Sequence, residues 1–343
     1  MMRRTQAIAI ASNRDVPKLD DGDRVSVSVA SHDKTMAHPL TRKNLARLNA
    51  LNGCVKDNNT NSAYLFDDET DAMTIPTTDS AFEQHAYENG ILDPIASRPP
   101  HGLNTIRNCV TQRRTNTQPS ERIHQAYCNK VSRSFNEGSA SHLIQTRIMR
   151  EYNDPQYNRV HGRAITQIPK QDFNNNLSDP RPDVLEGLCT EVLPDHLHDN
   201  ALHKKKSLSF YHFTAEFKHD DGNLHQATVQ AAYNGAVLVN ARDRALTKAR
   251  QDSIVAATVI DKAAKEAAVL TCVTNGKVAE VYTHHSEGGQ YHQNLVACGS
   301  LLDYPNRGRE LIRNTQDYTQ SKSYELANLL GADLEEEEEE EFW

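Results

Sequence analysis

The sequence predicts a mixed α/β (α+β) domain, a central sheet flanked by helices, and three observations carry that expectation. SLSFYHFTAEFK is rich in aromatic and β-branched or small residues and reads as a strand. AVLTCVTNGKVAEVYTHH holds two apolar runs joined by Asn275-Gly276, the dipeptide that a type I′ hairpin turn favours. Between them, HQATVQAAYNGAVLVNARDRALTKARQ reads as one long helix, with a break expected near Asn234-Gly235.

Residues 1–78 are rich in Asp, Asn, Ser and Thr and show little periodicity. They are expected to be mostly disordered, apart from one short helix around Leu40–Leu51. From Ala81 the pattern turns helical. AFEQHAYENGIL closes at Asn89-Gly90, a helix stop. SRPPHGLNTIRNCVTQRR gives a loop and a second helix, and PSERIHQAYCNKVSRSF gives a third with Pro119 near its start. SASHLIQTRIMREYN, opened by a serine, gives a fourth that would carry Glu151. Residues 79–153 therefore form a helical part, too polar to stand alone, and 154–332 the core. DSIVAATVIDKAAKEAA adds helix, YHQNLVACGSLL another strand or a strand–helix junction, and GRELIRNTQDYTQSKSYELANLL a last helix ending at Gly331.

The formal net charge of −8 argues against a nucleic-acid partner only until its location is noticed. Asp333 and Glu335 to Glu341 supply eight acids, so the rest of the chain is close to neutral and 333–343 reads as a solvated acidic tail. The six cysteines (Cys54, Cys109, Cys128, Cys189, Cys272 and Cys298) show no zinc-type spacing and read as reduced thiols. The N-terminal apolar stretch is cut short by Gln6 and Ser12, so no secretory signal is expected, and no run approaches the length of a membrane span. An intracellular protein, nuclear or cytoplasmic, is expected.

The chemistry concentrates at the end of the strand. In an extended segment residues i and i+2 share a face, so Glu216 and Lys218 point to one side and Phe217 to the other. A carboxylate beside an ammonium suits metal-assisted phosphodiester hydrolysis: the acid holds a hard divalent cation, and the amine orients water or offsets charge on phosphorus. A second acid is needed, and Pro182-Asp183 in DPRPDVLEG can supply it. Pro194-Asp195 is the rival. Glu-x-Lys alone is commonplace, and its bland reading is a surface pair. Here it ends an apolar strand, and Gln230 and Tyr233, three apart, follow on one helix.

The segment FYHFTAEFK-HDDGNLHQATVQAAYNGA resembles the core of fungal PD-(D/E)XK nuclease-like domains, in which an E-F/A-K strand leads through a Gly-containing loop to a helix bearing Q-x-A-x-x-G-A. Glu216, Lys218, Gln230 and Gly235 stand at those positions, and Pro182-Asp183 with Gly187 resembles the upstream motif. YENGILDPIASRPPHGLNTIRNCVTQRR is similar to the family's opening segment, so the likeness spans residues 80 to 330. It implies a restriction-endonuclease-like core, Asp183 and Glu216 as ligands of Mg²⁺ or Mn²⁺, Lys218 as catalytic lysine and Gln230 as support. Tyr233 sits one position short of the tyrosine of the helicase-nuclease branch. The long interval from Asp183 to Glu216 requires an insertion, LCTEVLPDHLHDNALHKKK. The function implied is a metal-dependent nuclease acting on DNA or RNA. The alternative is an inactive nuclease-like fold that binds nucleic acid or protein.

Other features have plainer readings. Lys204-Lys205-Lys206 suits phosphate but is commonly a solvated loop. Arg113, Arg114, Arg242, Arg244 and Arg250 would line a groove or pair with surface acids. Tyr87, Tyr152 and Tyr157 would stack on bases or pack between helices. Glu151 would face the metal or lie solvated. His284, His285 and His292 flank Gly288-Gly289, so two strands could bring them together, although their spacing is not diagnostic of a metal site.

Overall fold

A computed structural model describes residues 74–331, apart from 115–117, 135, 167–172, 191–207, 220–222 and 252–255. Asp195, Lys204 to Lys206, the 40–51 helix and the acidic tail lie outside the described residues.

Four helices come first: α1 (Phe82–Glu88), α2 (Leu103–Thr111), α3 (Glu121–Val131) and α4 (Glu137–Arg147). The core follows as β1 (Tyr157–His161), β2 (Val184–Cys189), β3 (Leu208–Phe217), α5 (Leu224–Gln251), α6 (Ala257–Lys265), β4 (Val269–Thr274), β5 (Val278–Glu287), β6 (Gln290–Ser300) and α7 (Arg307–Leu329). The six strands form one mixed sheet in sequence order. All neighbours are antiparallel except β3 and β4, which run parallel and are joined through α5 and α6. Parallel neighbours need such a crossover, because a tight turn can only reverse the chain.

Alternation along the strands sorts the core into layers. Val269 packs with α5 residues Tyr233, Ala236 and Val237, and Val273 packs with Ala227 and Ala231. Leu270 and Cys272 point to the opposite face, towards Leu311 and Ile312 of α7. Phe213, Ala215 and Phe217 of β3 meet Val131, Leu143 and Ile144 of α3 and α4 on that same face. α5 is therefore apolar over most of its middle, which explains its continuity through Asn234-Gly235, where a break was expected. Gly235 is used for close approach: a Cβ there would lie 2.2 Å from Nδ1 of His284 on β5. The helix accepts glycine's propensity cost to let that ring dock.

Three further differences from expectation have physical causes. Asn275-Gly276 does join a hairpin, but Gly276 alone takes a positive φ (83°), and Asn275 Oδ1 accepts from the amides of Lys277 and Val278. The loop is thus longer than the two-residue type I′ form. β3 also carries a bulge. Phe210 has φ 51°, and the β2–β3 register shifts between Glu186 and Leu188. Gly187 faces it where a Cβ would meet Ser209 O at 2.7 Å. Finally, α4 begins at Glu137 rather than at a serine. Asn136 is its N-cap, with Oδ1 accepting from the Ser139 amide at 2.9 Å. The helix ends at Arg147, which leaves Glu151 exposed in the segment beyond it.

Candidate metal centre

The end of β3 is extended, as its composition requires. Glu216 is paired with Val273 on β4, and the Lys218 amide donates to Thr274 O at 2.8 Å, carrying the ladder one residue past the strand. Phe217 is buried against α3 and α4. Glu216 turns to the opposite face, where Asn234 Nδ2 of α5 donates to its Oε1 at 2.6 Å.

Asp183 immediately precedes β2, whose first residue, Val184, stands opposite Ala215. Its Oδ2 accepts from the Phe217 amide at 2.7 Å, so its carboxylate lies against the backbone between Glu216 and Lys218. The pairing of β2 with β3 therefore closes the long sequence interval between the two acids. A third acid enters from α4: Glu137 Oε1 is 3.8 Å from Lys218 Nζ. The contact between the His219 ring and Ser134 O ties the end of β3 to the turn that leads into α4, and this fixes where Glu137 can reach.

The charges of these groups are felt mutually. Glu216 is 5% exposed, and burial pushes its pKa up to about 8. The neighbouring Asp183 adds to that rise, with a smaller push from Glu137, while the Asn234 bond and Lys218 oppose it. Asp183 is also raised, by burial first and slightly by Glu137, against the Phe217 amide and Lys218. The buried Glu216 and half-buried Asp183 thus stand beside one ammonium, which the half-exposed Glu137 also reaches, an arrangement short of positive charge. Oxygen donors grouped in this way fit a hard divalent cation. Asp183 and Glu216 are the residues that could hold it, whereas Glu137 is half exposed and reaches the cluster through Lys218.

Gln230 stands one turn before Asn234 on the same face of α5, but its amide nitrogen donates to Thr77 Oγ1 at 3.2 Å and its Oε1 is buried without a hydrogen-bond partner. The direct support of Glu216 comes from Asn234. Tyr233 belongs to the core: it is fully buried, edge-on to Phe82 at 5.5 Å between centroids, and its hydroxyl donates to Ser178 O. The charge of Glu137, not that of Glu151, acts on Asp183 and Glu216. Sequence reasoning missed Asn234 and Glu137. The i, i+4 spacing from Gln230 pointed to the first, and the capping pair Asn136-Glu137 to the second.

The remaining candidates fall into structural roles. Tyr152 donates to Glu186 Oε2 at 2.6 Å, and that fully buried carboxylate also takes Arg159 Nε and Gln316 Nε2. Tyr157 is buried beside Tyr152, whereas Tyr87 is exposed. Arg114 pairs with Asp317 at 2.7 Å and Arg250 with Asp261 at 3.0 Å. Arg242 is buried and donates to Ala263 O. Arg113 and Arg244 are exposed. No described helix is long and apolar enough to cross a membrane.

No protein-family model, curated protein or solved structure matches this chain. The chain is a mixed α/β domain in which Asp183, Glu216 and Lys218 meet at the end of a central strand, with the half-exposed Glu137 against the lysine.

Proposed function

We propose that the chain is a metal-dependent nuclease of the PD-(D/E)XK type that hydrolyses phosphodiester bonds of DNA or RNA. One observation carries the reading: the Asp183 carboxylate is seated on the Phe217 amide, between Glu216 and Lys218. The resemblance implies a mixed sheet flanked by helices, with the first acid on the element before the Glu-x-Lys strand and the glutamine helix after it. β2, β3, α5 and β4 run in that order here.

The chain's own groups divide the work. Asp183 and Glu216 would supply anionic oxygens for Mg²⁺ or Mn²⁺, Glu137 would add negative charge beside Lys218, and Asn234 fixes the rotamer of Glu216. The Lys218 ammonium stands beside the acids, placed to orient a water or to offset charge on phosphorus. When bound, the divalent ion supplies further Lewis-acid charge at the scissile phosphate. The exposed side of Glu137 is where the cluster meets solvent.

A second reading, a nuclease-like fold that binds nucleic acid or protein without cutting it, is favoured by the departure of Gln230 from the family-like pattern: it bonds to Thr77, and Asn234 supports Glu216 instead.

Incubation of the full chain with single- and double-stranded DNA and RNA in Mg²⁺ or Mn²⁺ separates the two. Cleavage that falls about 100-fold or more in Lys218→Ala, with an unchanged circular dichroism spectrum, is the expected result. Undiminished cleavage by that variant would overturn the assignment. Binding without cleavage would support the second reading.

A further inference from the structure

The tip of the β5–β6 hairpin brings together a different set of donors. Gly288 and Gly289 both have positive φ (61° and 79°), as a two-residue type I′ turn requires. The turn fixes the pairing of Glu287 with Gln290 and of His285 with His292. Alternation then places His285 and Glu287 on one face, and His292, directly opposite His285, on the same one. One ligand-type atom from each of the three lies within 4.8 Å of the others. Ser286 faces the other way and donates to Asp243 of α5 at 2.6 Å, which anchors the hairpin to the helix.

The bland account is a stacked pair of imidazoles, with centroids 4.9 Å apart and an interplanar angle of 20°, held by Arg98. Arg98 accounts for two of the three residues: its Nη1 lies 3.7 Å from Glu287 Oε2, and its amide donates to His292 Nδ1 at 3.1 Å. His285 is left over, because its Nδ1 is buried without a hydrogen-bond partner. A buried ring nitrogen in that condition calls for an explanation. Burial lowers the pKa of both imidazoles, helped by the His292 ring at His285 and by Arg98 at His292, and this favours the neutral form that ligates metals.

We propose that His285, Glu287 and His292 form a binding site for one divalent transition ion, with Zn²⁺ the best match, clamping the tip of the β5–β6 hairpin. Two imidazoles, which are borderline donors, joined by one carboxylate suit Zn²⁺ over Mg²⁺ and leave a fourth position for water. Metal–ligand bonds near 2.0–2.1 Å need donors about 3.3 Å apart, so the side chains close by up to about 1.5 Å and the rings tilt out of their stack. Glu287 is exposed and His285 partly so, both at the end of a hairpin, where such movement is least restricted. In taking Glu287, the ion replaces the guanidinium of Arg98.

The site is independent of the Asp183–Glu216 cluster, and its test is too. Calorimetric titration of the full chain with Zn²⁺ is run on wild type, His285→Ala, Glu287→Gln and Glu216→Gln. The chain has 16 histidines, so the difference between variants is the readout. The expected result is that one bound ion is lost in His285→Ala, weakened at least 10-fold in Glu287→Gln and retained in Glu216→Gln. Co²⁺ substitution checks the ligands directly, through a visible d–d band of the wild type that is absent from Glu287→Gln and His285→Ala. Equal Zn²⁺ binding and equal Co²⁺ spectra in wild type and His285→Ala would overturn the proposal, as would no binding at micromolar Zn²⁺. Neither result bears on nuclease activity.

Discussion

Asn234 of α5 donates its side-chain amide to Glu216 of β3 at 2.6 Å, and this bond spans the helix–sheet interface beneath the acid cluster. It partly satisfies a carboxyl group that the fold has removed from water, and it fixes which way that group faces. Asn234→Ala leaves a buried oxygen unpaired and is expected to cost about 1–3 kcal/mol in urea denaturation. Divalent-ion affinity should fall with it. A variant as stable as wild type would show that the bond has no structural weight.

The pH dependence follows from Glu216. Its folded pKa is about 8 against an ordinary value of 4.5, so the folded state holds the proton more tightly than the unfolded chain. The contribution of this group is neutral below about pH 4.5. It becomes increasingly destabilising as pH rises to about 8, where the unfolded carboxyl is ionised and the folded one is forced to follow. Asp183 is raised as well and acts in the same direction. The melting temperature of the ion-free protein should therefore fall between pH 5 and 8 by more in wild type than in Glu216→Gln. Parallel curves would contradict the assignment of the shift to this residue. A bound divalent ion should relieve the repulsion, so Mg²⁺ should raise the melting temperature more at pH 8 than at pH 5.5.

Glu137 opens α4 and Glu151 lies beyond its far end, and Glu137 is the one in contact with Lys218. Glu137→Ala should weaken divalent-ion binding about 10-fold or more, while Glu151→Ala should leave it unchanged. Isothermal titration of the two variants side by side decides the matter, and a reversed ranking would remove Glu137 from the site.

Gly235→Ala tests the packing of the same helix against β5. Alanine is the better helix former by about 1 kcal/mol. Here its Cβ would lie 2.2–2.5 Å from the His284 ring, which is fully buried and held by Thr271 Oγ1 at 2.8 Å. Overpacking of that kind costs about 1–3 kcal/mol, so net destabilisation is expected on thermal denaturation. A stabilised variant would mean that the ring yields without cost.

The parts of this fold that local patterning controls were legible in the sequence. α1 to α4, the Asn275-Gly276 hairpin and β3 lie where periodicity, turn residues and aromatic content put them. Glu216 and Lys218 were found because i, i+2 geometry is local. What depends on tertiary contact was not legible. β1 has a short polar sequence, Tyr157–His161, that becomes a strand only by pairing with β2. Asn234-Gly235 reads as a break until Tyr233 and Val237 are seen packed in the core and His284 docked on Gly235. Gln230 matched the family-like pattern, yet the helix phase gives the contact with Glu216 to Asn234, one turn on. Glu137 escaped notice because its importance comes from where the turn beside Ser134 places it.

Asp183 and Glu216, beside Lys218, should bind one hard divalent ion. The decisive experiment is calorimetric titration of the full chain with Mn²⁺, compared with Glu216→Gln. One ion bound per chain at this centre, lost in Glu216→Gln while the folded spectrum is kept, is the predicted result. No binding, or the same binding in Glu216→Gln, would contradict it.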